Sequence, residues 1–484
     1  MDEHSKIRYT NKETLKLERG LTILRNFLIR SGMSPLDTFD PAHIMINNSI
    51  GGNVGNLIYA YSVYRTLTTE GVTITPDYYK IDHTKADEIN EKYDCYIIPL
   101  ADAFREDFRP NLRRYTKLIK KLKIPVVVVG VGLRAPFEPK LDEGFPFDED
   151  VKAFVSAVLE RSNIIGLRGE ITSKYLTKLG FREGIDHTVI GCPSMYTFGR
   201  DLQIRDTHIT KDSKVAINNS KLSPNNVLDF MQRSAHEYPD HYFIPQWMSE
   251  LRLSYLGSPN LKNPTNNYPC TNSEHVYEEN RVRYFLSAYT WIDFLKSVDL
   301  SFGLRLHGNI TATIAGTPSI LIPKDARMRE LAVYHDLTHV WANDITEETN
   351  ITDLVENADF HQPEKSQARN FDNFIEFLDK NGVSHIYQED KYRKDAPFDD
   401  ILKDVEKLPP VTPINGCNTD EAVKRWSQYH RIYEAKNNQT RKQTIRKHKK
   451  EIANKNNRIK WLEGTMNRKS VRMALKTANM FRTK

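Results

Sequence analysis

The sequence predicts an α/β fold built from two tandem parallel-sheet units, and three observations predict it. Short β-branched apolar runs alternate with helix-period segments from about residue 43 to 340, the pattern of strands crossed over by helices. A polar stretch at 201–213 interrupts this alternation, which restarts at 214–218. The longest apolar run, 124–133, is far short of the roughly 18 to 20 residues of a membrane helix.

Taken in order, residues 1–39 read as a helical lead, because Leu17, Leu21, Leu24 and Leu28 recur at spacings of three and four. A first Rossmann-like unit is expected over 40–205, with strands at 43–48, 93–100, 126–131, 163–167 and 188–192. Helices are expected at 112–122, 151–161 and 170–179, the last closed by Gly180, since glycine favours the left-handed cap. A second unit over 206–388 has expected strands at 214–218, 241–245, 298–302 and 319–323. Its expected helices are 227–236, 290–296, 307–315 and 326–335. Two open α/β units in tandem place a cleft between the carboxyl ends of their sheets. Residues 257–272 read as an insertion, 389–419 as a linker and 420–484 as a helical tail.

Charge divides the chain. Residues 424–484 hold 19 Lys plus Arg against 3 Glu, a net of +16, while the rest carries −10. Attraction to a polyanion therefore belongs to the tail. Its apolar residues Ile445, Ile452, Ile459, Met466, Met473 and Met480 recur every seven positions, but His448, Lys455 and Lys469 at the companion positions argue against a strong two-stranded coil. Residues 468–484 set Val471, Leu475, Ala478 and Phe481 near one face among cations, as in a helix lying on an anionic membrane. No nucleic-acid recognition module accompanies them. The N-terminus lacks a signal-peptide pattern, so the expected location is cytoplasmic, peripheral at the inner membrane face. The four scattered cysteines support neither a disulfide framework nor a zinc ribbon and read as buried free thiols. The oligomeric state stays open.

Three segments can carry chemistry. Gly51-Gly52-Asn53-Val54-Gly55-Asn56, expected to follow a strand and open a helix, fits both a tight turn and an anion-binding loop; it matches neither GxGxxG nor a Walker loop. Ile165-Gly166-Leu167-Arg168-Gly169-Glu170 brings an arginine to a strand exit, where it can fork onto a phosphate or carboxylate or simply cap its neighbours. Phe302-Gly303-Leu304-Arg305-Leu306-His307-Gly308-Asn309 is the most informative. Arg305 and His307 lie two apart, on one side of an extended exit, and the amides of Gly308 and Asn309 would add the positive end of a helix. Together they describe an oxyanion pocket holding a titratable imidazole. Asp148-Glu149-Asp150 imitates a metal-binding DxD but sits where a helix starts, and His335 with His339 lacks the rest of a zinc helix; no metal site is expected. No GxSxG elbow is present, so acyl transfer is unsupported.

Over about residues 45–345 these motifs resemble the polysaccharide pyruvyl transferase family. The resemblance is most specific in Phe302–Gly308, in Ala315-Gly316-Thr317-Pro318 and in Asp325-Ala326-Arg327-Met328-Arg329-Glu330-Leu331. Asn56 and Cys192-Pro193-Ser194 depart from the family's usual Asp and Asp-Pro-Ala. The resemblance implies a two-domain, GT-B-like fold and transfer of a pyruvyl group from phosphoenolpyruvate onto two sugar hydroxyls as a cyclic ketal. It implies His307 as proton shuttle and Arg168, Arg305, Gly308, Asn309, Asn53, Gly52, Gly55 and Arg134 as donor-binding residues, with no cofactor beyond phosphoenolpyruvate as co-substrate. The acceptor implied is a sugar of a surface polysaccharide or of its lipid-linked precursor. The alternatives are a glycosyltransferase of the same architecture using a nucleotide sugar, and a catalytically dead scaffold.

Overall fold

The computed structural model describes residues 25–262 and 267–482, with side chains to residue 478. The chain divides between Ala422 and Val423 into two compact units.

Within the first unit lie two parallel sheets. The first has strands β1 (Arg25–Ile29), β2 (Val72–Pro76), β3 (Cys95–Pro99) and β4 (Val126–Val129) in the order β2-β1-β3-β4, followed by the pair β5 (Ile165–Leu167) and β6 (His187–Val189). Val131 donates to Gly166 O and Arg168 N donates back to Val131 O, which joins the pair to β4. The second sheet has β7 (Val215–Asn218), β8 (His241–Phe243), β9 (Leu300–Gly303) and β10 (Ser319–Leu321) in the order β10-β9-β7-β8. In each sheet the strand order reverses once, between β1 and β3 and between β7 and β9. At such a reversal the flanking helices leave to opposite faces and open a crevice at the strands' carboxyl ends.

Most expected elements are present, with Gly180 left-handed at φ +99° after the helix Glu170–Lys178. Three expectations need correction. The expected strand at 43–48 is the helix Pro41–Asn47: Asp40 caps it by accepting from His43 N, Pro41 opens it and Asn48 closes it in the left-handed region. Leu28, expected in a helical lead, is buried in β1, a central strand; Leu17, Leu21 and Leu24 lie outside the described residues. β2 was not expected at all.

The third correction concerns 362–403, divided by the sequence reading between the second unit and a linker. The helix Gln362–Lys380 packs back on the first half: Gln367 Nε2 donates to the carbonyls of Met195 and Gly199, each at 3.0 Å, and Arg200 pairs with Asp372. In the helix Pro397–Lys403, Phe398 is buried beside Tyr61 and Tyr64, and Asp399 meets Arg65 at 2.7 Å. This stretch is a strap, because Phe398 and the buried Arg65 need each other's cover. Within 257–272, Leu261, Tyr268 and Cys270 join the second half's core. Cys95, Cys192 and Cys270 are buried free thiols, and Cys417 is half-buried.

The second unit is helical, Thr419–Met466 entering it and Lys469–Arg482 ending it. Ile445, Ile452, Ile459, Met466 and Met473 are all exposed. No described helix is long and apolar enough to cross a membrane.

Candidate active site

A cavity of about 620 Å³ opens where the carboxyl ends of the two sheets face each other. Both order reversals feed it: Arg30 follows β1, Asp102 follows β3, Ser220 follows β7 and Arg305 follows β9. Its lining is strongly cationic, with Arg30, Arg105, Arg134, Arg305, Lys324 and Arg327 against Asp102 and Asp325. Such a cavity takes an anion.

Arg305 sits at the N-cap of the helix Leu306–Ile314 and is held from three sides. Its Nε donates to Asn219 O at 3.0 Å, its Nη2 lies 3.4 Å from Glu250 Oε1, and its guanidinium lies 4.1 Å from the Trp247 ring centre. Glu250 is itself buried and also accepts from Tyr268 OH. Arg305 is thus fixed before a ligand arrives, and the first-turn amides of its helix have no partner within the helix.

His307, the second residue of that helix, lines the cavity, and its Nε2 has no partner among the described residues. Burial, then the charges of Arg168 and Arg327, push its pKa down to about 3, against the pull of Asp102. The imidazole is therefore neutral at physiological pH. Gly55 makes room for it, since a Cβ there would stand 2.5 Å from His307 Nδ1.

The glycine loop is both a turn and a wall. Gly51 and Gly52 have φ of +60° and +85°, and Asn53 Oδ1 accepts from Gly55 N at 2.8 Å. The loop follows a helix, not the expected strand, and is buttoned to the second half: Val54 N donates to Gln246 O and Met248 N to Gly52 O, each at 3.0 Å. Gly52, Asn53 and Arg134 line the cavity, whereas Gly55, Gly308 and Asn309 do not. The expectation that Asn309 binds the donor meets a direct obstacle. Its amide N–H closes on Arg305 O, and its carboxamide is spent on Asn218, Gly303 O and Arg305 O.

Arg168 also stands apart from the cavity lining. It is fully buried, its Nε donates to Gly130 O at 2.9 Å, its guanidinium lies 5.2 Å from the Tyr59 ring centre, and both terminal nitrogens lack partners among the described residues. From behind the wall it acts on His307 by charge. Nearby Glu330 is pushed up to about 7 by burial, although Thr172 donates to it through N and Oγ1.

Sequence reasoning missed Arg30, Asp102, Gln246 and Lys324. Asp102 accepts from Arg105 at 3.0 Å and Arg327 at 3.2 Å; burial works to raise its pKa, but those arginines hold it below the usual range. Lys324 is pushed down to about 8 by burial and by Arg305, Arg327 and Arg134. For Arg30 and Asp102, position at a sheet's order reversal was the available signal, and it needs the strand order; Gln246 and Lys324 follow the edge strands β8 and β10, where no such signal exists. The DxD imitation is occupied otherwise: Asp150 pairs with Arg109 and Arg113, and Asp148 accepts from Tyr175. His335 Nε2 accepts from Cys192 N at 2.8 Å, and His339 Nδ1 faces Leu337 O.

The family model described as Polysaccharide pyruvyl transferase matches residues 53–325. No curated protein matches the chain. Among solved structures it is similar to UDP-GlcNAc 2-epimerase from Neisseria meningitidis bound to UDP-GlcNAc, at 12% identity and TM-score 0.40, covering 74% of this chain and 100% of that one. It is similar to the Methanocaldococcus jannaschii UDP-GlcNAc 2-epimerase in complex with UDP-GlcNAc and UDP, at 14% identity and TM-score 0.40, covering 73% and 99%. A third is the glycosyltransferase SnogD from Streptomyces nogalater, at 12% identity and TM-score 0.30, covering 72% and 95%.

Proposed function

Because the chain belongs to the polysaccharide pyruvyl transferase family and is a transferase, we propose that it moves the pyruvyl group of phosphoenolpyruvate onto two hydroxyls of a sugar as a cyclic ketal. The observation that supports this most is Arg305 beside a neutral His307 at one helix N-terminus, inside a cavity rich in cations. Phosphoenolpyruvate carries a carboxylate and a phosphate. A fixed guanidinium and free helix amides meet such groups without reorganising.

Neutral His307 suits a shuttle that starts empty. As the first sugar hydroxyl bonds to C2, the imidazole takes its proton and passes it to C3, so the enol CH2 becomes a methyl group and the imidazole is neutral again. Phosphate then leaves with the C2–O electron pair, and the second hydroxyl closes on C2. Its proton departs with the phosphate, which balances the step. Arg168 and Arg327 oppose a charged imidazole, so the proton does not linger on it. The reading routes no step through a metal or other cofactor.

The acceptor proposed is a sugar of a surface polysaccharide or its lipid-linked precursor, met at the inner face of a membrane. The tail supports this location, with exposed Ile445, Ile452, Ile459 and Met473 set among its cations. Cutting after Thr419 is expected to abolish salt-sensitive binding to phosphatidylglycerol vesicles and to spare turnover of a soluble acceptor; unchanged vesicle binding would remove the anchor.

The donor is tested first, by calorimetry with phosphoenolpyruvate on wild type and Arg305→Ala. Binding that the substitution abolishes supports the reading, with phosphate release and a pyruvate ketal on the acceptor as the turnover readout. Heat from UDP-GlcNAc and none from phosphoenolpyruvate would replace it with glycosyl transfer.

A further inference from the structure

Gln246 is buried, at 1% exposure, yet it lines the cavity and its Nε2 has no hydrogen-bond partner among the described residues. A buried donor left without a partner is costly to the fold. Its main chain is fully engaged: N donates to Glu250 Oε2 at 2.8 Å, while O accepts from Val54 N at 3.0 Å and from Tyr284 OH at 3.2 Å. The residue is held rigidly, with its carboxamide left over.

The carboxamide is also placed. A Cβ on Gly308 would stand 2.8 Å from Gln246 Nε2, so the glycine lets the amide lie against the first turn of the helix Leu306–Ile314. Glu250 ties the arrangement together, since one carboxylate oxygen takes the Gln246 and Trp247 amides and the other faces Arg305. The Arg305 guanidinium and the main chain that carries the Gln246 carboxamide are thus both held by one buried carboxylate, beside one helix N-terminus and one cavity.

We infer that Gln246 is a donor-site residue whose Nε2 donates to an oxyanion of the bound substrate, completing a set with Arg305 and the first-turn amides. This rests on the proposed function for the substrate's name, but the oxyanion chemistry stands without it. The oxyanion is a carboxylate or a phosphate, both of which phosphoenolpyruvate presents. Because the same segment is buttoned to the glycine loop, binding at Gln246 also braces the two halves of the cleft.

The signature that separates this role from a structural one is a split between affinity and stability. Removing an unmatched buried amide does not destabilise the free protein, whereas removing a ligand contact weakens binding. Calorimetry on the full chain with phosphoenolpyruvate, inorganic phosphate and oxalate, for wild type, Gln246→Ala and Gln246→Glu, tests it. Gln246→Ala is expected to weaken phosphoenolpyruvate binding about 10-fold with Tm unchanged or raised, and Gln246→Glu to weaken it further by repulsion. Loss confined to phosphate or to oxalate identifies the oxyanion. Phosphoenolpyruvate affinity within about twofold of wild type in Gln246→Ala, or a lowered Tm with affinity intact, overturns the inference while leaving the pyruvyl donor standing. If wild type binds no phosphoenolpyruvate, the proposed function falls, and the inference is then decided by phosphate: loss in Gln246→Ala supports it, and retention or absence of phosphate binding overturns it.

Discussion

Two strand exits read almost alike, Ile165-Gly166-Leu167-Arg168 and Phe302-Gly303-Leu304-Arg305, each with an arginine just before a helix. The structure gives them different jobs. β9 lies at its sheet's order reversal, so Arg305 emerges into the cavity and is splayed over Trp247. β5 lies on the far side of β4, away from the reversal between β1 and β3, and Arg168 N continues the ladder through Val131 O. Its side chain is thereby carried beneath Tyr59. A motif states which side chain leaves a strand; the strand's rank in the sheet decides whether it lines the cavity or is buried in the core.

The largest expected effects break this comparison if they fail. His307→Ala is expected to cut turnover by about 100-fold or more with donor affinity nearly intact, and Arg305→Met to raise the phosphoenolpyruvate Kd by a similar factor. Steady-state rates and calorimetry check both, and an Arg305→Met enzyme with wild-type affinity would put Arg305 beside Arg168 as a bystander.

Next comes Gly55→Ala, whose methyl group must displace the imidazole. About 10-fold loss in kcat is expected with the phosphoenolpyruvate Kd unchanged; a wild-type kcat would show that the position of His307 is not critical.

Arg168→Met sharpens the contrast, because Arg168 acts through His307. With that charge gone, the imidazole pKa rises from about 3 toward its ordinary 6.5. A step that needs neutral His307 then loses rate as pH falls, so the acid limb of kcat/KM is expected to move up by about one pH unit, with a smaller change at pH 8. An unmoved limb alongside a weakened donor Kd would make Arg168 a direct ligand instead.

The smallest expected effect is on stability. Glu330 has its pKa raised to about 7 from 4.5, so its neutral form fits the fold; the stability it lends is present below about pH 4.5 and fades as pH rises through 7. Glu330→Gln is expected to flatten that decline, by on the order of 2 kcal/mol at pH 8, in denaturant titrations. An unchanged slope would mean that Thr172 and Arg168 already compensate the carboxylate.

Much of this was legible in the chain. The consecutive valines of β4 announce a buried parallel strand, and the Arg305–His307 spacing announced two side chains that share the cavity. The helix at Pro41–Asn47 was legible too, through Asp40 and Pro41, but its Ile-Met-Ile centre imitates a strand. β1 was hidden because three buried residues, Phe27 to Ile29, extend a leucine spacing that reads as helix.

By itself, then, the sequence determined the α/β class, the alternation of elements, the charged tail and the arginine and histidine at β9's exit, all of which depend on residues near one another in the chain. Tertiary structure decided which strand ends share a cavity, that Gly55 makes room for His307 and Gln246 lies against Gly308, that Arg168 lies behind the wall, and that 362–403 straps the first half. The physical reason is distance along the chain: local pattern fixes periodicity and direction, while strand order and burial arise only when segments hundreds of residues apart compete for the same neighbours.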